Sequence, residues 1–193
     1  MRAGIWVSVA VLGWGQSAMG QAAQSPPARV FTPEQRAVQE QTRQLDAQRT
    51  SLVAQAKQVF AAEMEREKAG DCHGADTQAG FNDCFGKAEA LADESLKSYE
   101  AAIRGVLGLK YPAWPGEETP PSRAGSSPGP EQDVAEFDHL EKLWHEYLEA
   151  GATAAHHELE GGSGAGSFAA ETRLRLERDH LRELHDIYGV LWI

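Results

Sequence analysis

The sequence has little of what defines several common classes of protein. Only two of its 193 residues are cysteine, and the absence of a C-x-x-C pair excludes the usual zinc ribbon and c-type haem attachment. Its 18 Lys and Arg stand against 29 Asp and Glu, for a net charge of −11. Cations this scarce exclude the basic patches of a nucleic-acid-binding surface. No G-x-S-x-G elbow, Walker loop or dinucleotide fingerprint occurs, so we expect neither a catalytic site nor a cofactor.

The histidines lack the spacing of a helical metal site. An H-E-x-x-H motif places two imidazoles one helical turn apart, at positions i and i+4. None of the histidine pairs here has that spacing. His156 and His157 are adjacent, His180 and His185 are five residues apart, and His139 and His145 are six residues apart. Surface histidines are therefore the favoured interpretation, and the sequence predicts no metal site.

The first twenty residues have the pattern of a secretory signal peptide. Arg2 precedes an apolar run over residues 3–15, and Ala18 and Gly20 fit the small-residue cleavage rule. An apolar run of 13 residues is too short for a membrane-spanning helix. We expect residues 1–20 to be removed and the mature chain to be periplasmic or secreted, with no membrane span. The alternative is an N-terminal helix that tethers the chain.

A long amphipathic helix is predicted over residues 32–70, after a flexible leader at 21–31. Thr32 is a suitable N-cap, and Pro33 suits the first helical position. Its apolar stripe is narrow and repeats every seven residues: Val38, Leu45, Leu52 and Val59. Such a stripe could form a short coiled coil, but the favoured interpretation is a solvated helix that covers part of the core.

Three further helices are predicted within residues 71–191, where a Pro- and Gly-rich linker at 108–132 interrupts the domain. The first begins at an Asp76 cap and ends near residue 107. The second spans about 131–160, and the third runs from about 167 to 191. Aromatic side chains on their apolar faces are expected in the core: Phe81, Phe85, Trp144 and Tyr147, with Leu148 as the alternative to Tyr147. The predicted fold is all-α, a small bundle of three to four helices with a long N-terminal helix.

The two cysteines, Cys72 and Cys84, are twelve residues apart. On one continuous helix their Cα atoms would lie about 18 Å apart, whereas a disulfide needs roughly 4.4–6.8 Å. A bond between them therefore requires Cys72 to lie in the loop over residues 70–75. Four extended residues span about 13 Å, which makes closure feasible. A structural disulfide is favoured, and a redox-active pair is the alternative.

Short segments spread over residues 71–188 form an ordered pattern. They are Asp71-Cys72, Ala75, Thr77-Gln78, Asn82, Cys84, Ala92-Asp93, Leu96, Trp144, Tyr147, Glu149-Ala150, Gly161-Gly162-Ser163, Leu176 and Arg182-Glu183-Leu184. Their order and spacing resemble the lysozyme inhibitor LprI-like N-terminal domain family, long described as a domain of unknown function. The resemblance implies an all-helical, non-enzymatic binding protein that inhibits lysozyme.

The chain also departs from the family pattern. The family usually carries two further cysteines, where this chain has Ala152 and Thr172. Their joint loss is what we expect if the two missing cysteines bond to each other in the family, and the resemblance then implies that Cys72 and Cys84 are mutual partners. The arginine-type residue that follows the family's tyrosine is replaced by Leu148.

The loop between the last two helices is the candidate binding loop. Its candidate residues are Glu158, Glu160, Gly161, Gly162 and Ser163. It combines acidic groups and a hydroxyl with glycines; the alternative is that the glycines only end one helix and admit a tight turn.

The expected partner is a cationic lysozyme or another envelope protein. Many lysozymes are strongly cationic, and an acidic chain would be steered towards them. The alternative function is an envelope scaffold or assembly module that associates through the helix at 33–69.

Overall fold

Four α-helices make up most of the structure, a computed structural model that describes residues 31–116 and 129–192. They are α1 (Pro33–Ala69), α2 (Gln78–Leu107), α3 (Pro130–Glu158) and α4 (Ala165–Tyr188), and a 3-10 turn at Gly189–Trp192 follows α4. The described residues contain no strand, so the all-α prediction is confirmed. None of the described helices is apolar and long enough to span a membrane. The predicted signal peptide, the leader up to residue 30 and the linker residues 117–128 lie outside the described residues.

Side-chain caps fix where the first two helices begin. Thr32 and Gln35 form a reciprocal capping box, in which the Thr32 hydroxyl accepts from the Gln35 amide and the Gln35 side chain accepts from the Thr32 amide. The predicted Asp76 cap of α2 is wrong by one residue. The cap is Thr77, whose Oγ1 accepts from the Gly80 amide at 3.1 Å.

The core lies between the second half of α1 and the other three helices. Its main cluster of buried residues comprises Ala56, Leu96, Tyr99, Ala102, Ile103, Phe137, Leu181 and Leu184. Helix α2 packs chiefly against α4 and α1, and α3 packs chiefly against α4. Tyr99 is fully buried, and its hydroxyl lies 3.0 Å from Nδ1 of His185, on whose ring Phe60 stacks. This polar contact satisfies the hydroxyl at the centre of an apolar core.

The two halves of α1 differ in their environment. No residue from Pro33 to Gln55 is buried, whereas Ala56 and Glu63 have no exposed surface. Leu52 packs closely on α2, because a Cβ added at Gly105 would lie 2.9 Å from the Cδ1 atom of Leu52. The second half of α1 thus covers the core, as the favoured interpretation expected.

The first part of the predicted linker packs against the helices. Leu109 is buried, and the Tyr111 hydroxyl donates to Oδ1 of Asp46 on α1 at 3.0 Å. The irregular segment also ends earlier than predicted, because α3 begins at Pro130.

The four candidate core aromatics differ in their environment. Phe81 and Phe85 are both half-buried, and their ring centroids lie 6.2 Å apart. Trp144 is half-buried too, packs against the core cluster and stacks on the ring of His180 at 4.0 Å.

The core prediction for Tyr147 is wrong, because 60% of this residue is exposed. The adjacent Leu148, only 4% exposed, takes the core position. It lies four residues after Trp144 and eleven after Phe137, on one side of α3. Successive residues of a helix are 100° apart, which turns Tyr147 away from this side.

Cys72 and Cys84 form a disulfide, with their Cα atoms 5.6 Å apart. Cys72 lies in the loop between α1 and α2 with a φ of 47°, and Cys84 lies on α2. This is the arrangement that the sequence predicted, with Cys72 off the helix.

Replacing both cysteines by serine should lower the free energy of unfolding by about 3 kcal/mol, because the closed loop is short. Helicity should persist, since neither cysteine belongs to the core cluster. Urea denaturation followed by circular dichroism measures the loss. Thiol titration of the unfolded, unreduced wild type should find no free thiol; two free thiols would contradict the disulfide.

Candidate functional site

The candidate binding loop is a short, ordered turn between α3 and α4. Every residue from Glu158 to Ser163 is exposed. The Gly162 amide donates to the Leu159 carbonyl at 2.9 Å, and Gly161 has a φ of 84°, which favours glycine there. The glycines do form a tight turn, and the turn presents the carboxylates of Glu158 and Glu160 to solvent.

Side chains at the start of α2 hold this turn. Asn82 Nδ2 donates to the Ser163 carbonyl at 3.4 Å, and Gln78 Nε2 donates to Ser167 Oγ at 2.7 Å. The Ser167 hydroxyl in turn donates to the Gly164 carbonyl at 3.0 Å. Asn82 and Ser163 both belong to the sequence pattern that resembles the LprI-like family, and the fold makes them hydrogen-bonded neighbours although they are 81 positions apart.

A row of exposed apolar side chains runs along α3. Leu140 is 56% exposed, Leu143 48% and Tyr147 60%. Their spacing of three and four residues places them on one side of the helix, and two exposed alanines continue the row. We call this set the α3 face: Leu140, Leu143, Tyr147, Ala150 and Ala154. Glu158 follows Leu140 by five full turns, about 27 Å along the same side, so the face leads to the turn.

The surroundings of the α3 face are acidic. Helix α3 carries eight Asp and Glu residues and one lysine, Lys142. The carboxylate of Glu136 is exposed one turn before Leu140, in line with the row, and that of Glu146 is exposed beside it. Glu149 pairs with Arg173 of α4. An apolar strip with acidic borders suits a partner whose own surface combines apolar and cationic groups.

A buried ion-pair network joins α1 and the loop that follows it to α4. Arg178 is only 5% exposed, and its Nε donates to Oε1 of Glu63 at 2.8 Å. Its Nη2 donates to Oδ1 of Asp71 at 3.0 Å, and Arg66 donates to the other oxygen of Glu63. Burial lowers the pKa of Arg178, but the carboxylates of Asp71 and Glu63 outweigh it and leave that pKa raised. The network is a structural feature of the fold.

Two glutamates and a histidine meet between α2 and α3. One ligand atom from each of Glu100, Glu141 and His145 lies within 4.8 Å of the other two. Nε2 of His145 lies 3.7 Å from Oε1 of Glu100, a buried oxygen without a hydrogen-bond partner among the described residues. Burial, and then the neighbouring Glu141, raise the pKa of Glu100 to about 8. We call these three residues the α2–α3 cluster.

The histidine spacings did not reveal the α2–α3 cluster. Glu141 and His145 are one helical turn apart, but the spacing between histidines cannot show a site that one histidine forms with two glutamates. The surface interpretation is also wrong for His180, which is 8% exposed and whose Nε2 lies 3.0 Å from Oε2 of Glu141. It is right for His156 and His157, which are exposed.

The buried carboxyl group of Glu177 on α4 also has an oxygen without a hydrogen-bond partner among the described residues. Glu177 is 2% exposed, and this oxygen is its Oε2. Burial, followed by the carboxylates of Glu89 and Asp93, raises the pKa of Glu177 to about 8. Burial therefore favours the protonated form of Glu177 in the folded protein.

Comparisons with known proteins give no match: no protein-family model, no curated protein and no solved structure is significantly similar to the chain. The resemblance to the LprI-like family therefore rests on the ordered sequence pattern.

Proposed function

We propose that the chain is a secreted or periplasmic, non-enzymatic binding protein that inhibits a lysozyme. The observation that carries the proposal is the α3 face, where three large apolar side chains about half exposed stand in one row. Contiguous exposed apolar surface on a folded chain is typical of an interaction site. None of these three side chains belongs to the main cluster of buried residues or packs against it.

The charge of the chain favours a cationic partner. The net charge is −11, and eight carboxylates lie on α3 itself. Long-range attraction of this kind raises the association rate and disfavours acidic partners. Strongly cationic lysozymes have the complementary charge, and the family resemblance points to the same class of partner.

The turn at one end of the α3 face provides the second part of the proposed surface. Glu158, Glu160 and the Ser163 hydroxyl are exposed there. Because Gln78 and Asn82 hold the turn in place, little conformational entropy is lost when a partner docks. We propose that the turn enters the substrate cleft of the lysozyme while the α3 face contacts the rim.

The test is residual muramidase activity of a cationic lysozyme in the presence of the purified protein. Wild type should inhibit, and a Leu143→Ser/Tyr147→Ser variant should require at least about 10-fold more protein, because exposed anchors at an interface dominate affinity. Leu91→Ser is the matched control, since Leu91 is 47% exposed on α2 and outside the α3 face. A Glu158→Ala/Glu160→Ala/Ser163→Ala variant tests the turn separately. Wild type without effect on any class of lysozyme would remove the proposal.

A scaffold that assembles through α1 is the second candidate. It is favoured by the first half of α1, where Val38 and Leu45 belong to a heptad stripe and no residue is buried. A truncation that removes residues 21–70 would take away all of α1, including the buried Glu63 and Ala56, and would therefore disturb the core. Point variants on the first half of α1 are the better test of this hypothesis. Under this hypothesis the wild type sediments as an oligomer and Val38→Ser/Leu45→Ser as a monomer. A monomeric wild type contradicts it.

A further inference from the structure

We propose that the α2–α3 cluster binds a divalent transition-metal ion of the Zn²⁺ class through Glu100, Glu141 and His145. The site is separate from the proposed lysozyme-binding surface and does not depend on it. Glu141 and His145 are one turn apart on α3, and Glu100 faces them from α2. Two rigid helices thus position all three ligands.

The distances between the ligand atoms suit a small cation. The three atoms lie within 4.8 Å of one another, and one pair is already 3.7 Å apart. Metal–ligand bonds of about 2.0–2.2 Å place ligand atoms about 3.3–3.6 Å apart in a tetrahedral site. Small rotations of the glutamate side chains therefore close the site without any movement of the helices.

The buried carboxylate oxygen of Glu100 is the second observation that points to a cation. This atom is inaccessible to solvent and has no hydrogen-bond donor within bonding distance among the described residues. The groups beside it are the other two members of the cluster, Nε2 of His145 at 3.7 Å and the carboxyl group of Glu141. The nearby cations are engaged elsewhere, because Lys97 pairs with Asp93 and Arg104 donates to Asp138. Burying a polar oxygen without a partner is costly, and a bound metal ion would be its partner.

Groups behind the cluster would orient one of its ligands. His180 contacts Oε2 of Glu141 through Nε2 at 3.0 Å, and Trp144 stacks on the His180 ring at 4.0 Å. Hydrogen bonds to a ligating carboxylate, from residues that are themselves fixed by packing, are typical of metal sites. His180 is thus a positioning residue, and it does not itself ligate.

An open groove of about 450 Å³ gives access to the cluster. Its walls include Lys97, Arg104 and the three ligands, and 41% of the His145 side chain is exposed. Three protein ligands beside such a groove leave a fourth position for water. An imidazole together with two carboxylates favours Zn²⁺ or a similar ion over Ca²⁺ and Mg²⁺, which prefer oxygen ligands alone.

The test is titration of the purified, untagged protein with Zn²⁺ by calorimetry and with Co²⁺ by visible absorption. We expect one ion per chain, d–d bands of bound Co²⁺ and a higher melting temperature with Zn²⁺. Glu100→Gln, Glu141→Gln and His145→Ala should each weaken binding at least 10-fold. His180→Asn should weaken it about 10- to 100-fold through the lost hydrogen bond.

The matched control is His156→Ala/His157→Ala, which removes two exposed histidines of the same helix and should bind as wild type does. The Gln variants preserve shape, and far-UV circular dichroism shows that each variant is folded. Absence of Zn²⁺ binding to wild type, unchanged affinity in His145→Ala, or loss of binding in the control would overturn the proposal.

Discussion

Replacing Arg178 by methionine should lower the free energy of unfolding by about 3–5 kcal/mol at pH 7. Glu63 has no exposed surface and would lose the Nε donor, and Asp71 would lose both of its guanidinium contacts. A buried carboxylate that has lost a cationic partner destabilises the folded state, because neither water nor the remaining cation fully replaces the lost interaction. Urea denaturation of wild type and variant measures the difference.

Arg182→Met is the matched control, one helical turn further along α4. Its guanidinium contacts Glu67 and Asp179, and more than a third of each of these side chains is exposed. Exposed pairs contribute little, so this variant should lose less than about 1 kcal/mol. A Glu63→Leu/Arg178→Met double variant should be more stable than Arg178→Met alone, since no charge stays buried at residue 63. Equal losses in Arg178→Met and Arg182→Met would show that burial of the ion pair is irrelevant.

Replacing Glu177 by glutamine should raise the free energy of unfolding by on the order of 3 kcal/mol at pH 8 and change it little at pH 5. The folded protein holds the proton of Glu177 up to a pKa of about 8, whereas the ordinary pKa of a glutamate in water is 4.5. Between these values the folded state binds more protons than the unfolded state. Wild-type stability therefore falls as the pH rises through this window, and glutamine removes that loss because it never ionises.

The charged groups around Glu177 are consistent with this direction. Glu89, Asp93 and Glu63 raise its pKa and Arg173 lowers it, but burial has the largest effect. Glu171→Gln is the control, because Glu171 is exposed on the same helix. Unfolding free energies measured from pH 5 to pH 8 should converge at low pH for Glu177→Gln and wild type. Curves that stay parallel would contradict the raised pKa.

The helices could be predicted because their signals are local. A hydroxyl followed by proline marks the start of α1, and apolar residues three or four apart mark α2 to α4. The same pattern could not decide between Tyr147 and Leu148, since both lie close to the predicted face. Only the packing of α3 against α4 shows that Leu148 is inside.

The buried polar groups could not be predicted from spacing. Glu63 and Arg178 are 115 residues apart, and each alone looks like an ordinary surface residue of an amphipathic helix. Glu100 and His180 likewise gain their roles from residues on α3. Sequence periodicity shows which side of a helix is apolar, but it does not show which charged residue will meet a partner from a distant helix.

The ion pairs of Arg178 also constrain the order in which the chain can fold. The α1–α2 hairpin and its disulfide need only residues up to about 107, all of which are synthesised before α4. Within this hairpin Glu63 has only Arg66 as a cationic partner, and Asp71 lacks the guanidinium that it pairs with in the finished fold. Burial of Glu63 with its full set of partners therefore depends on α4, through a contact between residues 115 positions apart. Consolidation of this part of the core is thus tied to a long-range contact, the kind whose loop-closure entropy slows folding.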